Sequence, residues 1–414
     1  MKLSVCKEEV LVGEIFTTEK SVCFSYDENY CNTSAFPLSI SLPIQEEPHS
    51  QNVVLPFFEG LLPEGTQRQD LGSFLHVSTS STMKLLQALA GECVGNLIIL
   101  ESDETIANQL QESSYVPLSA QELEALLRPQ SLERARFVAS RRLSLAGAQA
   151  KFGLYSDSKA WFSTKGLAPT THIIKPASTF DSSLLINEFF MMQLAKNCDI
   201  VVPETSVIRS GANHGFVVRR FDRRVVAGKV VRLGQEDFCQ ALSVMPVAKY
   251  ENDGGPGFKS LFATILRNTA RPIPNIQMLL RIVLFNYLIG NCDAHAKNFS
   301  LLQNRENGAL SLAPAYDLVC TTFYGDRLSR SMAMKIGNHS KIDRISAQDF
   351  ALFSEEIGVH LGVIAAELGF LQNAIVQQVD NVLDVISAEA TEYLAVAKQL
   401  REFLLEELEK RVLL

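Results

Sequence analysis

Ten consecutive residues, Asn291-Cys-Asp-Ala-His-Ala-Lys-Asn-Phe-Ser300, form a polar segment between two apolar ones. Asp293 and Asn298 stand five positions apart in this segment, and Asp317 follows in Ala-Tyr-Asp-Leu. The catalytic loop of protein kinases places its aspartate and asparagine at the same spacing. Polar side chains held between two buried segments need a reason, and the pattern predicts a phosphotransfer site.

Four polar residues of the segment have a candidate role. A kinase needs one carboxylate that receives the proton of the attacking hydroxyl, and oxygen ligands that hold Mg²⁺ on ATP. We therefore expect Asp293 to be the base and Asn298 and Asp317 to be metal ligands. Lys297 is a candidate to neutralise charge on the transferred phosphoryl group, and His295 is interpreted as structural or as a neutral donor near the phosphates. The alternative is a surface turn, because Asp and Asn favour turns.

Length and composition describe an ordinary globular protein. A chain of 414 residues is too long for one compact core and is expected to divide into two or three domains. Its 47% hydrophobic and 20% charged residues imply no disorder. The longest apolar runs fall short of the roughly 20 residues that cross a bilayer, and Glu8 and Glu9 lie where a signal peptide is apolar. We expect a cytoplasmic protein with no membrane partner.

Cysteine usage and charge narrow the class further. None of the eight cysteines forms a Cys-x-x-Cys pair, so they are interpreted as small buried residues in a reducing compartment. The net charge of −8 argues against a surface that binds nucleic acid throughout. The densest basic cluster spans Arg219 to Arg224. A solvated strand end and a functional patch, including one that faces DNA, are both open for it.

Hydrophobic periodicity predicts three domains, and residues 1–139 form the first, a small α/β subdomain with its linker. Its predicted strands lie at residues 3–5, 22–26, 38–42 and 96–100, and its predicted helices at 54–62 and 83–89. The polar stretch 101–118 is predicted to be a linker. A helix from Ala120 follows, where Ser119 and Glu122 have capping-box spacing.

The second and third predicted domains have the plan of a kinase. Residues 140–234 carry strands predicted at 151–155, 160–163, 171–175, 206–208 and 216–221. One helix is inserted among them from about Ser182 to Asn197, with Asp181 as its cap. Helical spacing dominates 235–414 and ends in an amphipathic helix from Tyr393 to Leu414. The predicted fold class is α+β: a protein-kinase-like two-lobed fold with a β-rich N-lobe, an all-helical C-lobe and the additional N-terminal subdomain.

An ATP site also needs a glycine turn over the phosphates and a strand lysine that pairs with a helix glutamate. The candidate phosphate loop runs from Ser144 to Lys151 with a single glycine, and a plain hairpin entry is its alternative. Its candidate nucleotide-binding residues are Ala146, Gly147, Ala148, Gln149 and Lys151. Lys175 at a strand end is the candidate lysine, and Glu188 in the inserted helix is its candidate partner. A solvated lysine is the ordinary alternative, but the order of the elements along the chain favours a kinase.

Several motifs occur in an order that chance does not explain. The most specific are Ser-Leu-Ala-Gly-Ala-Gln-Ala-Lys at 144–151, Lys-Tyr-Glu-Asn-Asp-Gly-Gly-Pro-Gly at 249–257 and Asp-Ala-His-Ala-Lys-Asn-Phe-Ser at 293–300. Others are Pro37 to Pro43, Phe57 to Pro63, Val94-Gly95, Thr171 to Lys175, Arg220 to Arg224, Arg232 to Asp237 and Ala315 to Asp317. Through these motifs nearly the whole chain resembles the HipA family, the serine/threonine kinase toxins of bacterial type II toxin–antitoxin modules.

The resemblance implies roles for individual residues. Ser144 would be an autophosphorylation site whose modification displaces the phosphate loop and switches the kinase off. Asp293 would be the catalytic base. The residues implied to bind ATP and Mg²⁺ are Lys175 for ATP, Asn298 and Asp317 for Mg²⁺, and Arg219-Arg220-Phe221 as the hinge whose backbone contacts adenine. Arg219 stands where an acidic residue is expected, which alters the surroundings of the hinge but not its backbone hydrogen bonds.

The resemblance also implies partners. Family members phosphorylate aminoacyl-tRNA synthetases, glutamyl-tRNA synthetase among them, which arrests translation and produces persister cells. Their antitoxin is HipB, a small helix-turn-helix protein, and the toxin–antitoxin complex represses its own operon on DNA. Because the N-terminal domain is present in this chain, a HipB-like partner alone is expected to restrain toxicity.

Two other functions stay open. The protein can be a catalytically weak corepressor that acts by binding antitoxin and DNA, or a kinase of a different protein or of a small molecule. The intact set of predicted catalytic residues disfavours the first, and the long N-terminal domain with Ser144 disfavours the second.

Overall fold

The chain divides into two compact units. A computed structural model describes residues 1–19, 21–33, 36–102, 106–178, 180–412 and 414. The first unit comprises Met1–Thr179, Ile208–Val247 and Leu302–Ala309, and the second comprises Phe180–Val207, Ala248–Leu301 and Leu310–Leu414. The chain therefore passes between the units several times.

Strands and helices are mixed along the described ranges. The strands are β1 (Lys2–Lys7), β2 (Val10–Thr17), β3 (Val22–Tyr26), β4 (Leu97–Glu101), β5 (Ser114–Pro117), β6 (Phe152–Ser156), β7 (Trp161–Lys165), β8 (His172–Pro176), β9 (Thr205–Ser210), β10 (Asn213–Arg219), β11 (Arg223–Val226), β12 (Lys229–Arg232), β13 (Gly234–Asp237), β14 (Ser300–Gln303), β15 (Leu310–Leu312), β16 (Ser331–Ile336) and β17 (His339–Lys341). The α-helices are α1 (Glu28–Thr33), α2 (Gln51–Glu59), α3 (Gly65–Leu75), α4 (Thr82–Leu89), α5 (Ile106–Gln111), α6 (Ala120–Leu127), α7 (Leu132–Ser140), α8 (Ser183–Asn197), α9 (Phe238–Ala241), α10 (Phe258–Asn268), α11 (Pro272–Leu288), α12 (Ala347–Ile357), α13 (Leu361–Glu389) and α14 (Leu394–Lys410).

Four antiparallel strands in the order β3-β2-β1-β4 make the first sheet of the first unit. Side chains alternate between the two faces of a strand, so Leu3 and Val5 of β1 are buried on one face together with Ile15 of β2. Phe57 of α2 and Leu86 of α4 belong to the same apolar core. The helices predicted at 54–62 and 83–89 are therefore confirmed as α2 and α4, which cover this sheet.

The second sheet of the first unit has the order β5-β7-β6-β8-β10-β9. Its strands β6 to β10 confirm the five strands predicted from alternation. The edge strand β5 and helix α5 lie in the stretch 101–118 that was predicted to be a linker, of which residues 103–105 lie outside the described ranges. All four residues of β5 are exposed, so the strand has no apolar face that periodicity can detect.

The segment from Pro37 to Pro43 was predicted to be a strand and is not one. Its only pairing among the described residues is an isolated bridge between Ser39 and Leu42. Tyr26 explains the difference, because its hydroxyl accepts the N–H of Leu38 at 2.8 Å and donates to the carbonyl of Leu42. A buried side chain satisfies these backbone groups in place of a neighbouring strand.

One apolar core joins the two sheets of the first unit. Leu3 and Phe24 of the first sheet share it with Phe152, Ile174 and Val217 of the second. The predicted division at residue 139/140 stays a prediction, and the compact units divide the chain differently from the three predicted domains. In particular, α8 falls within the second unit.

A buried network of charged side chains lies beside this core. Arg220 and Arg223 contact the Glu92 carboxylate at 3.4 and 3.1 Å, and both contact Asp222. Burial alone would raise the pKa of Glu92, but Arg223 and Arg220 outweigh it and hold that pKa below its ordinary value. Burial also acts to raise the pKa of Asp222, but the same two arginines outweigh it and hold that pKa below its ordinary value. The network thus holds two carboxylates in their charged form inside the unit.

Helices form the core of the second unit, but the prediction that residues 235–414 are all-helical is wrong, because strands β14 to β17 also lie in that range. Helix α13 buries a stripe spaced three and four residues apart, which is the spacing of one helix face; its members are Ile364, Leu368, Leu371, Ile375, Val379, Val382 and Ile386. This helix packs against α8, α11 and α14. The inserted helix predicted from about Ser182 begins at Ser183, whose N–H bonds to Asp181. The C-terminal helix ends at Lys410 rather than Leu414, and Leu413 lies outside the described residues.

No single helix of the described ranges is long and apolar enough to cross a bilayer. Helices α12 and α13 reach that length and apolarity only when they are taken together, and they are bent by 119° at their break.

The buried network makes a stability prediction. Glu92→Gln removes one of the two carboxylates that face Arg220 and Arg223, and we expect it to lower the free energy of unfolding by about 3 kcal/mol, because two buried guanidinium groups then share Asp222 alone. Urea unfolding followed by circular dichroism measures the change, with Glu9→Gln at an exposed position as the control. A loss no larger than that of the control would show that the network does not stabilise the unit.

Candidate active site

The polar segment that begins at Asn291 follows α11, from which Ile289 and Gly290 separate it. Gly290 adopts a φ of +71°, and a Cβ at this position would lie 2.1 Å from Oγ1 of Thr322. Only glycine fits such a turn. The N–H of Asn291 then donates to the carbonyl of Asn286 at 2.8 Å, which directs the Asn291 side chain inward, where it is 2% exposed.

The Asn291 side chain organises the segment through three hydrogen bonds. Its Nδ2 donates to Oδ1 of Asn286 at 2.7 Å and to the carbonyl of Asp317 at 3.3 Å. Its Oδ1 accepts the N–H of Asp293 at 3.2 Å. The amide therefore joins the backbones of Asp293 and Asp317, which are 24 positions apart in the sequence. This contact brings together the backbones of the predicted base and of one predicted metal ligand.

A tight turn places Asn298 beside Asp293. The N–H of His295 donates to the Asp293 carbonyl at 2.8 Å, and the N–H of Asn298 donates to the His295 carbonyl at 2.8 Å. Nδ2 of Asn298 also donates to the Asp293 carbonyl, at 3.0 Å. Because the amide nitrogen is used in this way, the amide oxygen of Asn298 is the atom left for a ligand.

Asp317 has an unusual backbone. Its φ of +55° lies in the left-handed region, which is uncommon for a residue other than glycine and marks a position held by its surroundings. Its neighbour Tyr316 donates to the carbonyl of Lys297 at 2.7 Å and contacts the hydroxyl of Ser300 at 2.6 Å. Asp317 is therefore held to the catalytic segment both by its own carbonyl, which Asn291 contacts, and by its neighbour Tyr316.

The two remaining polar residues of the segment are buried. His295 is 6% exposed and Lys297 is 7% exposed. The ring of His295 packs edge-on against that of Tyr250, with their centres 5.3 Å apart. This contact fits the structural role that was one of the two interpretations of His295.

Tyr250 is the residue of the site that the sequence did not single out. Its hydroxyl donates to Oδ1 of Asp293 at 2.7 Å. Asp293 itself is exposed. The motif around Tyr250 contributed to the family resemblance, but nothing in its spacing connects it with a loop 43 positions away.

The candidate phosphate loop lies in the first unit, and its first residue is buried. Ser144 is 0% exposed, and its hydroxyl donates to the carbonyl of Leu61 at 2.6 Å. Its N–H donates to the carbonyl of Glu92 at 2.8 Å. In this conformation the Ser144 hydroxyl is inaccessible to an outside kinase.

The backbone conformation of this loop favours glycine, because side chains rarely tolerate a positive φ. Gly147 has a φ of +106°, and a Cβ there would lie 2.7 Å from Nζ of Lys151. That ammonium donates to the carbonyl of Ala146 at 2.8 Å. The carbonyl of Gly147 accepts the N–H of Glu64 at 3.0 Å, so the loop is docked along the segment that follows α2. Ala148 is exposed and Gln149 half-buried.

The predicted lysine and glutamate are both buried. Lys175 lies on β8 opposite Phe216 of β10, 5% exposed, with its ammonium 5.9 Å from the centre of the phenyl ring. Glu188 lies in α8 of the second unit and is 2% exposed. A lysine solvated at a strand end is therefore excluded for Lys175. The pairing of the two stays a prediction.

The arginine cluster at the candidate hinge is largely inside the protein. Arg219 ends β10 and is exposed, while Phe221 is half-buried. Arg220 and Arg223 are buried in the network with Glu92, so the interpretations of a solvated strand end and of a patch that faces DNA are wrong for these two. A run of arginines in the sequence does not show which of them has a buried counter-ion. Here that counter-ion is Glu92, which lies far away in the chain.

The structure therefore groups the predicted residues within each unit. The second unit joins Asp293, Asn298 and Asp317 through the amide of Asn291, with His295 and Lys297 buried between them along the same segment. The first unit holds the residues of the phosphate loop, Lys175 and the candidate hinge. Their individual roles stay predictions.

Comparison with known proteins assigns the class and then the family. A chain of the solved complex of the Shewanella oneidensis toxin–antitoxin proteins HipA and HipB with operator DNA superposes with a TM-score of 0.85, at 26% identity, over 99% of this chain and 97% of that one. The mixed α/β fold is therefore the protein-kinase-like fold of HipA. The HipA N-terminal domain model matches residues 3–100, and the HipA-like C-terminal domain model matches residues 143–389. The chain belongs to the HipA family.

Two curated relatives agree with this assignment over most of their length. A protein of Sinorhizobium fredii named putative kinase Y4mE is 36% identical over 392 residues, which cover 92% of each chain. The serine/threonine-protein kinase toxin HipA of Shewanella oneidensis is 28% identical over 393 residues, covering 91% of this chain and 88% of that protein.

Burial of Ser144 makes a conformational prediction. Ser144→Glu places a longer, charged side chain against the carbonyl of Leu61, where a buried carboxylate without a partner is costly, so we expect residues 144–151 to leave their docked position. Hydrogen–deuterium exchange should then rise in this segment and stay unchanged in Ser140→Glu, a matched control at an exposed position. Equal exchange in the two variants would mean that the docked loop tolerates the charge.

Proposed function

We propose that this protein is a serine/threonine kinase toxin of the HipA type, which transfers the γ-phosphoryl group of ATP to a serine of a target protein. The observation that carries the proposal is the hydrogen-bonded catalytic segment, in which one buried amide holds the backbones of Asp293 and Asp317 and a turn orients Asn298. The names of the relatives support the same activity.

Phosphoryl transfer needs a group that takes up the proton of the attacking serine hydroxyl. The oxygen of the target serine attacks the γ-phosphorus, its proton passes to the Asp293 carboxylate, and the bond from the γ-phosphorus to the bridging β–γ oxygen breaks as ADP leaves. Asp293 is exposed and so can be reached by a protein hydroxyl. We assign to Lys297 the neutralisation of charge that develops on the transferred group.

Asn298 and Asp317 fit a magnesium site. Mg²⁺ prefers oxygen ligands, keeps several waters and takes part of its coordination from substrate phosphates, and when bound it neutralises charge on the phosphates. The amide oxygen of Asn298 and the carboxylate of Asp317 are such ligands. The described residues include no group of three or more His, Cys, Asp or Glu that could hold a metal by themselves, so these two would act together with the nucleotide.

We assign nucleotide binding to the first unit's candidates. Lys175 would contact the α- and β-phosphates, the backbone of residues 146–149 would cover them, and the backbone around Arg219 and Phe221 would contact adenine. The burial of Lys175 suits this role, because a buried ammonium interacts strongly with phosphate oxygens. His295 would lie near the phosphates as a neutral donor or serve the loop structurally.

Self-inactivation would act through Ser144. Its hydroxyl is bonded to the Leu61 carbonyl, so transfer of phosphate to it requires the loop to leave the docked position. A phosphoserine with two negative charges does not fit back into a site that is closed to water. Phosphorylation would thus hold the loop out and remove the cover of the nucleotide phosphates.

The targets and partners follow from the family. We propose an aminoacyl-tRNA synthetase as the substrate, a HipB-like helix-turn-helix antitoxin as the partner, and operator DNA bound through that complex. The structural likeness to a chain of the HipA–HipB–operator complex over nearly the whole length supports the last two. The substrate rests on the family resemblance alone.

Loss of the base should abolish toxicity. Asp293→Ala removes the proton acceptor, and we expect cells that express it to grow normally while cells that express the unchanged protein arrest. Growth after brief induction without antitoxin measures this, and phosphoproteomics of the arrested cells identifies the substrate. Asp326→Ala, at an exposed aspartate of the same unit, is the matched control and should stay toxic.

The same experiment separates the kinase from a corepressor. If Asp293→Ala arrests growth as strongly as the unchanged protein, toxicity does not depend on phosphotransfer and the proposed function is wrong. If it represses the operon with antitoxin but does not arrest growth, phosphotransfer and DNA binding are separate properties of the chain.

A further inference from the structure

Tyr250 contacts the candidate base directly, and the proposed function gives it no role. Its hydroxyl donates to Oδ1 of Asp293 at 2.7 Å, the length of a strong hydrogen bond to a carboxylate. Its ring packs edge-on against the buried ring of His295. The tyrosine is thus fixed both at its hydroxyl and along its ring by residues of the catalytic segment.

The loop that carries Tyr250 has a backbone conformation that requires glycine at two positions. The N–H groups of Asp253 and Gly255 both donate to the Tyr250 carbonyl, at 3.0 and 2.9 Å. Gly254 adopts a φ of +87°, and a Cβ on Gly255 would lie 2.1 Å from the carbonyl oxygen of Ala248. Glycine is therefore required at both positions. The glycine-rich sequence of residues 249–257 therefore forms a tight turn around the tyrosine.

Strand β16 connects this turn to the catalytic segment. The Glu251 carboxylate accepts the N–H of Lys335 in β16 at 2.6 Å. In the same strand, the N–H of Ala333 donates to the carbonyl of Cys292 at 2.9 Å, next to Asp293 in the sequence. The loop, β16 and the catalytic segment therefore form one connected platform, and Tyr250 can hold the carboxylate in a fixed orientation.

We propose that Tyr250 is the positioning residue of the catalytic base. Its hydroxyl holds Oδ1 of Asp293, so that Oδ2 is the oxygen that receives the proton of the acceptor hydroxyl. This inference rests on the proposed function, since it assigns a residue to the acceptor side of the same reaction. The proton of Tyr250 stays on its own oxygen throughout, and the tyrosine exchanges no atom with the substrate.

The hydroxyl can be removed while the ring is kept. In Tyr250→Phe the packing against His295 remains, but the Asp293 carboxylate is free to rotate, and a base that spends less time in the productive orientation transfers protons less often. We expect the maximal rate of self-phosphorylation with Mg²⁺ and ATP to fall roughly 10-fold. The ATP concentration that gives half the maximal rate and the midpoint of thermal unfolding should not change.

Two further variants calibrate the result. Tyr287→Phe removes a tyrosine hydroxyl of the same unit that accepts the N–H of Val412 at 3.3 Å, and it should leave the rate unchanged. Gly255→Ala forces the loop backbone apart and should lower the maximal rate at least as much as Tyr250→Phe, because it moves the tyrosine itself.

The outcomes distinguish this inference from the proposed function. If the unchanged protein shows no transfer, or if Asp293→Ala retains it, the proposed function fails. If Asp293→Ala is inactive and Tyr250→Phe has the unchanged rate, only the positioning role is wrong. A faster Tyr250→Phe would also overturn the inference, since the hydroxyl would then obstruct the acceptor. A slower rate accompanied by a raised half-saturating ATP concentration would contradict it too, by placing the effect on nucleotide binding.

Discussion

The side-chain amide of Asn291 is the contact on which the catalytic segment depends. It lies almost out of reach of water and uses both its nitrogen and its oxygen, so the segment keeps a polar residue in an apolar environment without an unsatisfied group. A buried amide left without partners would cost on the order of 1 to 3 kcal/mol. The same bonds fix the backbones of Asp293 and Asp317, so the interaction that makes the polar segment stable also sets the geometry of the candidate site.

The first unit uses a buried polar residue in a similar way. The backbone of Glu92 accepts the N–H of Ser144 and donates to the carbonyl of Arg142, which fixes the start of the phosphate loop. The side chain of the same residue faces Arg220 and Arg223, next to the candidate hinge. Glu92 thus connects two parts of the proposed nucleotide site, because its backbone holds Ser144 and its buried carboxylate faces the two arginines.

Sequence patterns predicted features that depend on local order. Alternation located strands β6 to β10, and the five-residue spacing located Asp293 and Asn298, which the structure joins through a turn. Features that depend on distant partners were missed or misread. Strand β5 has no buried face, the residues after Pro37 give their backbone groups to Tyr26, and Tyr250 reaches Asp293 from another part of the chain. In each case the deciding contact is one that no short window of sequence contains.

Phosphate transfer by the protein to itself tests the central claim most directly. Intact-mass spectrometry of the purified full-length chain, before and after incubation with Mg²⁺ and ATP, should reveal the added mass of one phosphoryl group, which peptide mapping should place on Ser144. The Asp293→Ala chain should gain nothing under the same conditions. An unchanged mass for the unaltered protein under conditions where it binds ATP, or phosphorylation of the Asp293→Ala chain, would contradict the assignment of this segment as a catalytic loop.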